Sequence, residues 1–404
     1  MNVRSTLLLG VAGLVAAALL RSEVLVFAAI VVVLIASLAF YTGRHILDRV
    51  EYSRSLSRRV VAWGGEVEVS TTIANRKWLP LMWLRVRDDW PSAVQPSGFT
   101  LSASHRQATE TLAQALSVRW YQRVRRRYRG LCAARGVHAF GPARLEAGDP
   151  LGLSVVIEDV ETRDELVVLP KTLQLPEEML AALGRPLVGA PSRRSLIRDP
   201  SGLIGIRPYR PGDPLKSINW RATARTRDLQ TNEFEPSTEA EVLILLNLRT
   251  FEFAWQGIDP ELMELLCVVA ASVASAFAEH DLAVGLSSNG VVAHQRGPID
   301  VDPAPGTLPE ILDGLARIAL FPAPPFGRLL QRELQATAMP AEYLVVTSSL
   351  AGEITPCLLA LKQARPTQVV AVGGLSDQAE GADLIDWRVS RDFDWRNSHA
   401  LALA

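Results

Sequence analysis

The stretch "EVLILLNLRTF", residues 241–251, decides how the second half of the chain is read. From Val242 to Leu246 every position is aliphatic, with none of the alternation that a sheet with one wet face imposes. A strand this apolar is covered on both faces, as in a parallel sheet between helices. The segments after it fit that setting. "PELMELLCVVAASVASAF" (260–277) reads as a long helix, and "DLAVGLSS" (281–288) and "GVVAHQR" (290–296) as strands. "LPEILDGLARIAL" (308–320) and "FGRLLQRELQATA" (326–338) follow as helices. "AEYLVVTSS" (341–349), "ITPCLLALKQA" (354–364) and "TQVVAVGG" (367–374) read as strand, helix and strand. This order predicts an α/β domain over 236–404 with a mainly parallel sheet and crossover helices.

Upstream, residues 45–170 carry the period of two instead. In "VEVSTTIAN", Val67, Val69, Thr71 and Ile73 alternate with Glu68, Ser70 and Thr72. "LMWLRVRDD" sets Met82, Leu84 and Val86 against Trp83, Arg85 and Arg87, and "LSVRWYQRVRRRYRG" reads as a further strand region. Short strands broken by Asn-Arg, Gly-Pro and Gly-Asp-Pro predict a β-rich, sandwich-like domain. The basic run Arg123–Gly130 reads as a solvated strand face near an anionic membrane.

The N-terminus has a third character. "TLLLGVAGLVAAALL" (6–20) and "VLVFAAIVVVLIASLAFY" (24–41) carry no charge, and "RSE" separates them. As a helix the second run is about 27 Å long, near the thickness of a hydrocarbon core. The pair predicts a transmembrane hairpin over residues 1–44. A signal-peptide core behind Arg4 is the rival reading of the first run, but no small-residue cleavage motif precedes the charged break. Arg44, Arg49, Arg54, Arg58 and Arg59 follow the second run, so the positive-inside tendency places both termini and the main body in the cytoplasm. The expected setting is a multi-pass protein of the cell membrane, with the lipid bilayer as its first partner.

Over all 404 residues the formal net charge is -1, so no global positive field favours nucleic acid. Cys132, Cys267 and Cys357 are too far apart for a zinc or disulfide framework and read as buried small hydrophobes. No phosphate-cradling glycine fingerprint occurs, which leaves no cofactor predicted.

Between the two large regions, residues 171–235 form a connecting segment with one concentrated stretch, "GIRPYRPGDPLKSINWRATAR" (205–225). Pro211-Gly212 suits the centre of a type II turn, with Gly212 taking the positive φ. Asp213-Pro214 fits a helix start, with Leu215, Ile218 and Ala222 on one face and Trp220 as an apolar anchor. Arg207, Tyr209, Arg210, Arg221 and Arg225 add planar donors suited to an acidic segment or a phosphate. A joint between domains, a docking surface and a catalytic patch all remain open for this stretch.

In "GIRPYRPGDPLKSINWRATARTRDLQTNEFE" (205–235), Arg207, Tyr209, Pro211, Gly212, Asp213, Ile218, Trp220, Ala224 and Leu229 stand in a recognisable pattern. It resembles the domain-of-unknown-function 58 family of bacterial membrane-anchored proteins. "FGPARLEAGDPLGL" and the paired N-terminal spans share the likeness. The resemblance implies a von Willebrand factor A-like C-terminal domain. It also implies partnership with MoxR-type AAA+ ATPases, and for some members association with a transglutaminase-like membrane protein. In such a domain a metal site opens with Asp-x-Ser-x-Ser at the first strand end. This chain has Asn247, Arg249 and Phe251 there, and Thr347, Ser348 and Ser349 after "LVV" bring no carboxylate. An Arg and a Phe cannot ligate Mg²⁺, so no metal site is expected.

The expectation is therefore an α+β multidomain membrane adaptor or assembly factor that is not an enzyme. A tethered hydrolase-class enzyme with its site near Arg207–Arg225 and a purely structural envelope protein are the alternatives.

Overall fold

The computed structural model describes residues 11–13, 15, 19, 23–106, 108–148, 155–183, 203–209, 218–226, 228–234, 241–251, 256–292, 298–321, 323–336, 340–373 and 381–403. Two compact units divide the chain, Met1–Pro170 and Lys171–Ala404.

The first unit begins with helix α1 (Glu23–Arg44), which holds no charged residue between its two ends. Two helices among the described residues are long and apolar enough to cross a membrane, this one and Pro260–Glu279. Burial separates them: the most apolar window of α1 is 12% buried, that of Pro260–Glu279 72%. Val11–Gly13, Val15 and Leu19 are also helical, and the rest of the expected first span lies outside the described residues. What is described is thus one long N-terminal helix with helical residues ahead of it, not a clear hairpin.

Twelve strands follow: β1 (Val50–Leu56), β2 (Val60–Val61), β3 (Glu66–Asn75), β4 (Leu81–Pro91), β5 (Val94–Ser97), β6 (Ser102–Ala103), β7 (Thr109–Val118), β8 (Arg123–Cys132), β9 (Gly136–Phe140), β10 (Ala143–Gly148), β11 (Val155–Val160) and β12 (Asp164–Val168). They form antiparallel sheets β1-β3-β8-β5 and β11-β10-β4-β7-β6, and a small sheet β2-β12-β9 in which β2 and β12 run parallel. Tyr52 and Ile73 from the first sheet pack with Leu84, Val86, Val118 and Leu145 from the second. A second cluster gathers Val67, Val94, Leu112, Phe140 and Leu166 around Trp90, whose ring meets Phe140 edge-on at 5.0 Å.

Two sequence expectations fail locally in this unit. A register shift between Leu81 and Leu84 turns both inward and leaves Met82 exposed, because an extra residue in a strand resets its alternation. "LSVRWYQRVRRRYRG" is two strands in different sheets, joined by a turn at Arg119–Gln122.

In the second unit come α2 (Glu177–Leu183), β13 (Leu203–Pro208), α3 (Trp220–Thr226) and β14 (Gln230–Phe234). The main domain then runs β15 (Glu241–Leu246), α4 (Pro260–Glu279), β16 (Ala283–Ser288), β17 (Asp300–Ala304), α5 (Leu308–Arg317), α6 (Phe326–Gln335), β18 (Glu342–Thr347), α7 (Ile354–Ala364), β19 (Thr367–Val372) and β20 (Trp387–Val389). Strands β13 and β14 form a two-stranded ribbon, and the six main strands align as β17-β16-β15-β18-β19-β20. All pairs in that sheet are parallel except β16–β17. Val242 to Leu246 are buried, as their unbroken apolar run requires. Asp259 starts α4 by accepting from Glu261 N and Leu262 N, with Pro260 in the first turn.

The antiparallel edge strand among the described residues is "DVDPA"; of "GVVAHQR", Val292 makes an isolated bridge to Ile318 and residues 293–296 lie outside the described residues. Asp300, Asp302 and Pro303 hide this strand from an apolar pattern, and an edge is where a sheet tolerates proline.

At the start of β18, burial pushes the Glu342 carboxyl up to about 7, against a hydrogen bond from Gln368 Nε2 at 3.2 Å. The folded chain then holds this proton to higher pH than the unfolded chain does. Stability present below the ordinary value of 4.5 is lost as pH rises through about 7. Glu342→Gln should leave denaturant stability unchanged near pH 4 and raise it by about 1–2 kcal/mol at pH 8.5, a figure reduced for partial exposure.

Candidate functional site

An open α/β sheet offers its binding crevice where the strand order reverses, beyond the carboxyl ends of the strands. Here β15 has β16 on one side and β18 on the other, so the reversal lies between β15 and β18. Asn247, just past β15, and Thr347, the last residue of β18, face each other. Both are fully buried, and Asn247 Nδ2 donates to Thr347 Oγ1 at 3.0 Å.

The network around them is closed. Asn247 Oδ1 accepts from Arg249 N at 3.1 Å and from Asn289 Nδ2 at 3.0 Å. Asn289 Nδ2 also reaches Pro324 O at 2.8 Å, and its Oδ1 accepts from Leu248 N at 2.8 Å. Thr347 Oγ1 donates to Ser349 O at 2.7 Å, and Ser348 Oγ to Arg249 O at 3.0 Å. Each amide and hydroxyl holds a loop in place.

Above this floor lies a cavity of about 350 Å³, lined by Asn247, Arg249, Phe251, Pro325, Phe326, Gly327, Arg328, Ser349, Ala351, Gly352, Glu353 and Ile354. Helices α6 and α7 both begin on its wall, at Phe326 and Ile354. Neither Arg249 nor Arg328 has an ion pair among the described residues, and Arg249 Nε is buried without an acceptor. Two guanidinium groups against the single carboxylate of Glu353 make the wall cationic.

That arrangement does not fit a divalent metal. The floor offers a neutral amide and hydroxyls already engaged with one another, where Mg²⁺ needs anionic or free oxygen ligands. A bound cation would also sit beside two positive charges. Among the described residues no group of three or more His, Cys, Asp or Glu is placed to hold a metal. Asn289, Arg328 and Glu353 were not singled out in the sequence. Only Asn289, a polar residue straight after the apolar β16, left any signal there.

The concentrated stretch lies apart from the crevice in the chain's architecture. Arg207 is in β13, opposite Thr231 of β14, and Tyr209 N donates to Leu229 O at 2.8 Å. Arg210, Gly212 and Asp213 lie outside the described residues. The helix begins later than the sequence predicts. Ile218 bridges to Thr231 in extended backbone, and Asn219 Oδ1 caps the first turn by accepting from Ala222 N at 2.9 Å. Asparagine is among the strongest N-caps, and the helix that holds Ala222 starts at Trp220; Asp213-Pro214 lies outside the described residues. Thr223 Oγ1 accepts from Gln230 N at 3.0 Å and fixes the helix to β14.

No residue of α3 is buried. Trp220 is 68% exposed, which corrects its reading as an apolar anchor, and Arg221 and Arg225 are exposed beside it. Helix α3 displays Trp220, Arg221 and Arg225 to solvent.

Residues 205–303 match the model of a family described as "Protein of unknown function DUF58". The matched segment of this DUF58 model begins in β13 and ends in β17, so it takes in α3 and the residues Asn247, Arg249 and Phe251. It supports assignment at the level of the family. "Uncharacterized protein YeaD" of Bacillus subtilis is 24% identical over 338 residues, covering 83% of this chain and 78% of that protein. Among solved structures, the CARDB domain of a Pyrococcus furiosus protein overlaps with a TM-score of 0.19 at 10% identity, covering 30% of this chain and 91% of that one. The alkylpurine DNA glycosylase AlkC of Pseudomonas fluorescens gives 0.20 at 10%, covering 37% and 39%. Overlaps this slight carry no argument.

Asn247→Ala strips acceptors from Arg249 N and Asn289 Nδ2 inside a dry site, and should cost about 2–4 kcal/mol of stability. Millimolar Mg²⁺ or Mn²⁺ should leave the melting temperature of the native chain unchanged, since a ligand that binds the folded state raises it. A saturable Mg²⁺-dependent rise would overturn the reading of the crevice.

Proposed function

We propose that this chain is a noncatalytic membrane-anchored adaptor or assembly factor that recruits a MoxR-type AAA+ ATPase. The observation that carries the reading is α3, a helix inside the family-matched segment that buries none of its residues and displays Trp220, Arg221 and Arg225. A helix that contributes nothing to a core yet exposes a tryptophan followed by two arginines has the composition of an interface hot spot.

The rest of the reading follows the family. The N-terminus is a two-span hairpin with its body in the cytoplasm. A Cβ added to Gly13 would lie 3.8 Å from Ala29 Cβ, and these positions are equidistant from Arg21, which supports an antiparallel return. Counted from β15, the strand order is 3-2-1-4-5-6 with only the third antiparallel. This doubly wound order supports a von Willebrand factor A-like domain. In that domain the self-satisfied network of Asn247, Asn289 and Thr347 stands where metal-dependent adhesion would need carboxylates. Partner capture therefore falls to exposed surfaces.

The test uses the full chain solubilised from native membranes. A MoxR-type ATPase should copurify with it, and Trp220→Ala with Arg221→Glu should lower the yield about tenfold, the loss of about 1.4 kcal/mol of binding. Because these side chains are exposed, the melting temperature should move little, by less than about 0.5 kcal/mol in stability. Equal recovery of the ATPase with and without α3's side chains would overturn the assignment.

A further inference from the structure

The β-rich unit carries an aromatic tip whose position follows from one buried lysine. Lys77 is buried, and its Nζ donates to His45 O at 2.9 Å, to Asp48 O at 2.7 Å and to Ile46 O. Those carbonyls belong to the turn that directly follows α1. Arg76 N donates to Arg49 O at 3.0 Å, so the β3–β4 loop is bound to the helix exit along its length. Asn75 Nδ2 donates to Leu79 O at 2.9 Å and to Arg119 O at 3.0 Å, and Tyr121 N donates to Lys77 O at 3.2 Å. The β7–β8 turn is thereby fastened to the same place.

Three large rings stand out from these two loops. Trp78 is 63% exposed, Trp120 62% and Tyr121 70%. Tyr121 sits at φ +51, a left-handed conformation that turns assign to glycine or asparagine. A bulky residue held there in solvent is disfavoured both by its backbone and by its hydration. Among the described residues no core cluster takes up the ring. Arg44, Arg49 and Arg119 are exposed around the rings and have no ion pair among the described residues, while Asp48 and Glu51 are engaged with His45 and Arg76.

We propose that Trp78, Trp120 and Tyr121, with Arg44, Arg49 and Arg119, form a foot by which the β-rich unit sits in the headgroup layer of an anionic bilayer. The proposal rests on α1 crossing that bilayer. Tyr41, one turn before the end of α1, is also exposed and marks the same level. Amphipathic rings concentrate at this depth in membranes, and arginine beside them is attracted by anionic lipid. The loops are hydrogen-bonded to the residues just past the helix, which brings their rings to the interface as soon as the helix is inserted. The foot fixes the height and tilt of the unit, where a bare tether would let it swing.

The test uses full-length protein in nanodiscs of phosphatidylcholine and phosphatidylglycerol, with or without acyl chains brominated near the headgroup. Bromine should quench up to the share of emission that two of nine tryptophans supply. Trp78→Phe with Trp120→Phe, conservative at exposed positions, should lose at least half of that quenching. Equal quenching in both proteins, or none in the native chain, overturns the foot. Alkaline carbonate washing of the same membranes separates the underlying reading. A chain released by the wash overturns the membrane span and the foot together, and a retained chain without tryptophan quenching overturns the foot alone.

Discussion

One buried guanidinium holds the β-rich unit together. Arg54 leaves β1 with its side chain wholly out of water and directs Nη1 to Asp88 of β4, Nε to Asp164 of β12 at 2.9 Å, and Nη2 to the carbonyls of Phe140 and Thr162. With Arg54 itself in β1, these partners link all three sheets of the unit. Tyr52 completes the group with a hydroxyl donated to Asp88 at 2.6 Å. Burial pushes the Asp88 carboxyl up, while Arg54 and Tyr52 pull it back down. Desolvating such a pair costs several kcal/mol, and only a full set of hydrogen bonds offsets it. Four hydrogen bonds here engage all three guanidinium nitrogens. Geometry elsewhere bends to keep it so: Gly141 has φ +85, and a Cβ there would run into Thr162 O and the Arg54 guanidinium. The arrangement fixes which sheets meet and at what register, a specificity that the aliphatic core alone supplies weakly.

Lys77 applies the same logic at the α1 end of the unit. A helix leaves its last carbonyls without partners, and here a lysine from the next loop takes up three carbonyls of the turn beyond α1. Burial lowers its ammonium to about 8, so the group remains charged at neutral pH and its three donors remain available. The α/β domain uses no buried charge at the equivalent point. Its strand ends are joined by asparagine and threonine, neutral groups that can satisfy one another without a counter-ion.

The elements legible in the sequence are those whose pattern is imposed by burial alone. The apolar run of β15, the alternation of β3 and the long helix α4 each answer to one constraint, coverage by apolar neighbours, and each was readable. The α+β architecture and the mainly parallel sheet followed from them. Misreadings occurred where two constraints compete. At β4 a bulge resets the alternation, so Met82 is exposed although Leu84 is buried. At β17 charge and proline mask an edge strand, and at Trp120-Tyr121 aromatic residues mimic strand while occupying a turn. Helix α3 begins at Trp220, where Asn219 caps its first turn. The floor of the crevice was half legible: Asn247 and Arg249 announced the missing ligands, but Asn289 and Arg328 come from segments that only the fold brings near.

Asn247 and Asn289 explain why the crevice keeps its form. A strand end without side-chain acceptors would leave the backbone N–H groups of the following loop unpaired in a buried site, at a cost of about 1–3 kcal/mol each. Asn247 and Asn289 supply the acceptors and, through their amide nitrogens, donors for Thr347 Oγ1 and Pro324 O as well. The loop geometry at the switch point is thus maintained by neutral groups that satisfy one another. With no carboxylate on the floor, the guanidinium groups of Arg249 and Arg328 stand on the cavity wall beside the single carboxylate of Glu353. The result is a crevice at the switch point of the sheet whose wall carries positive charge.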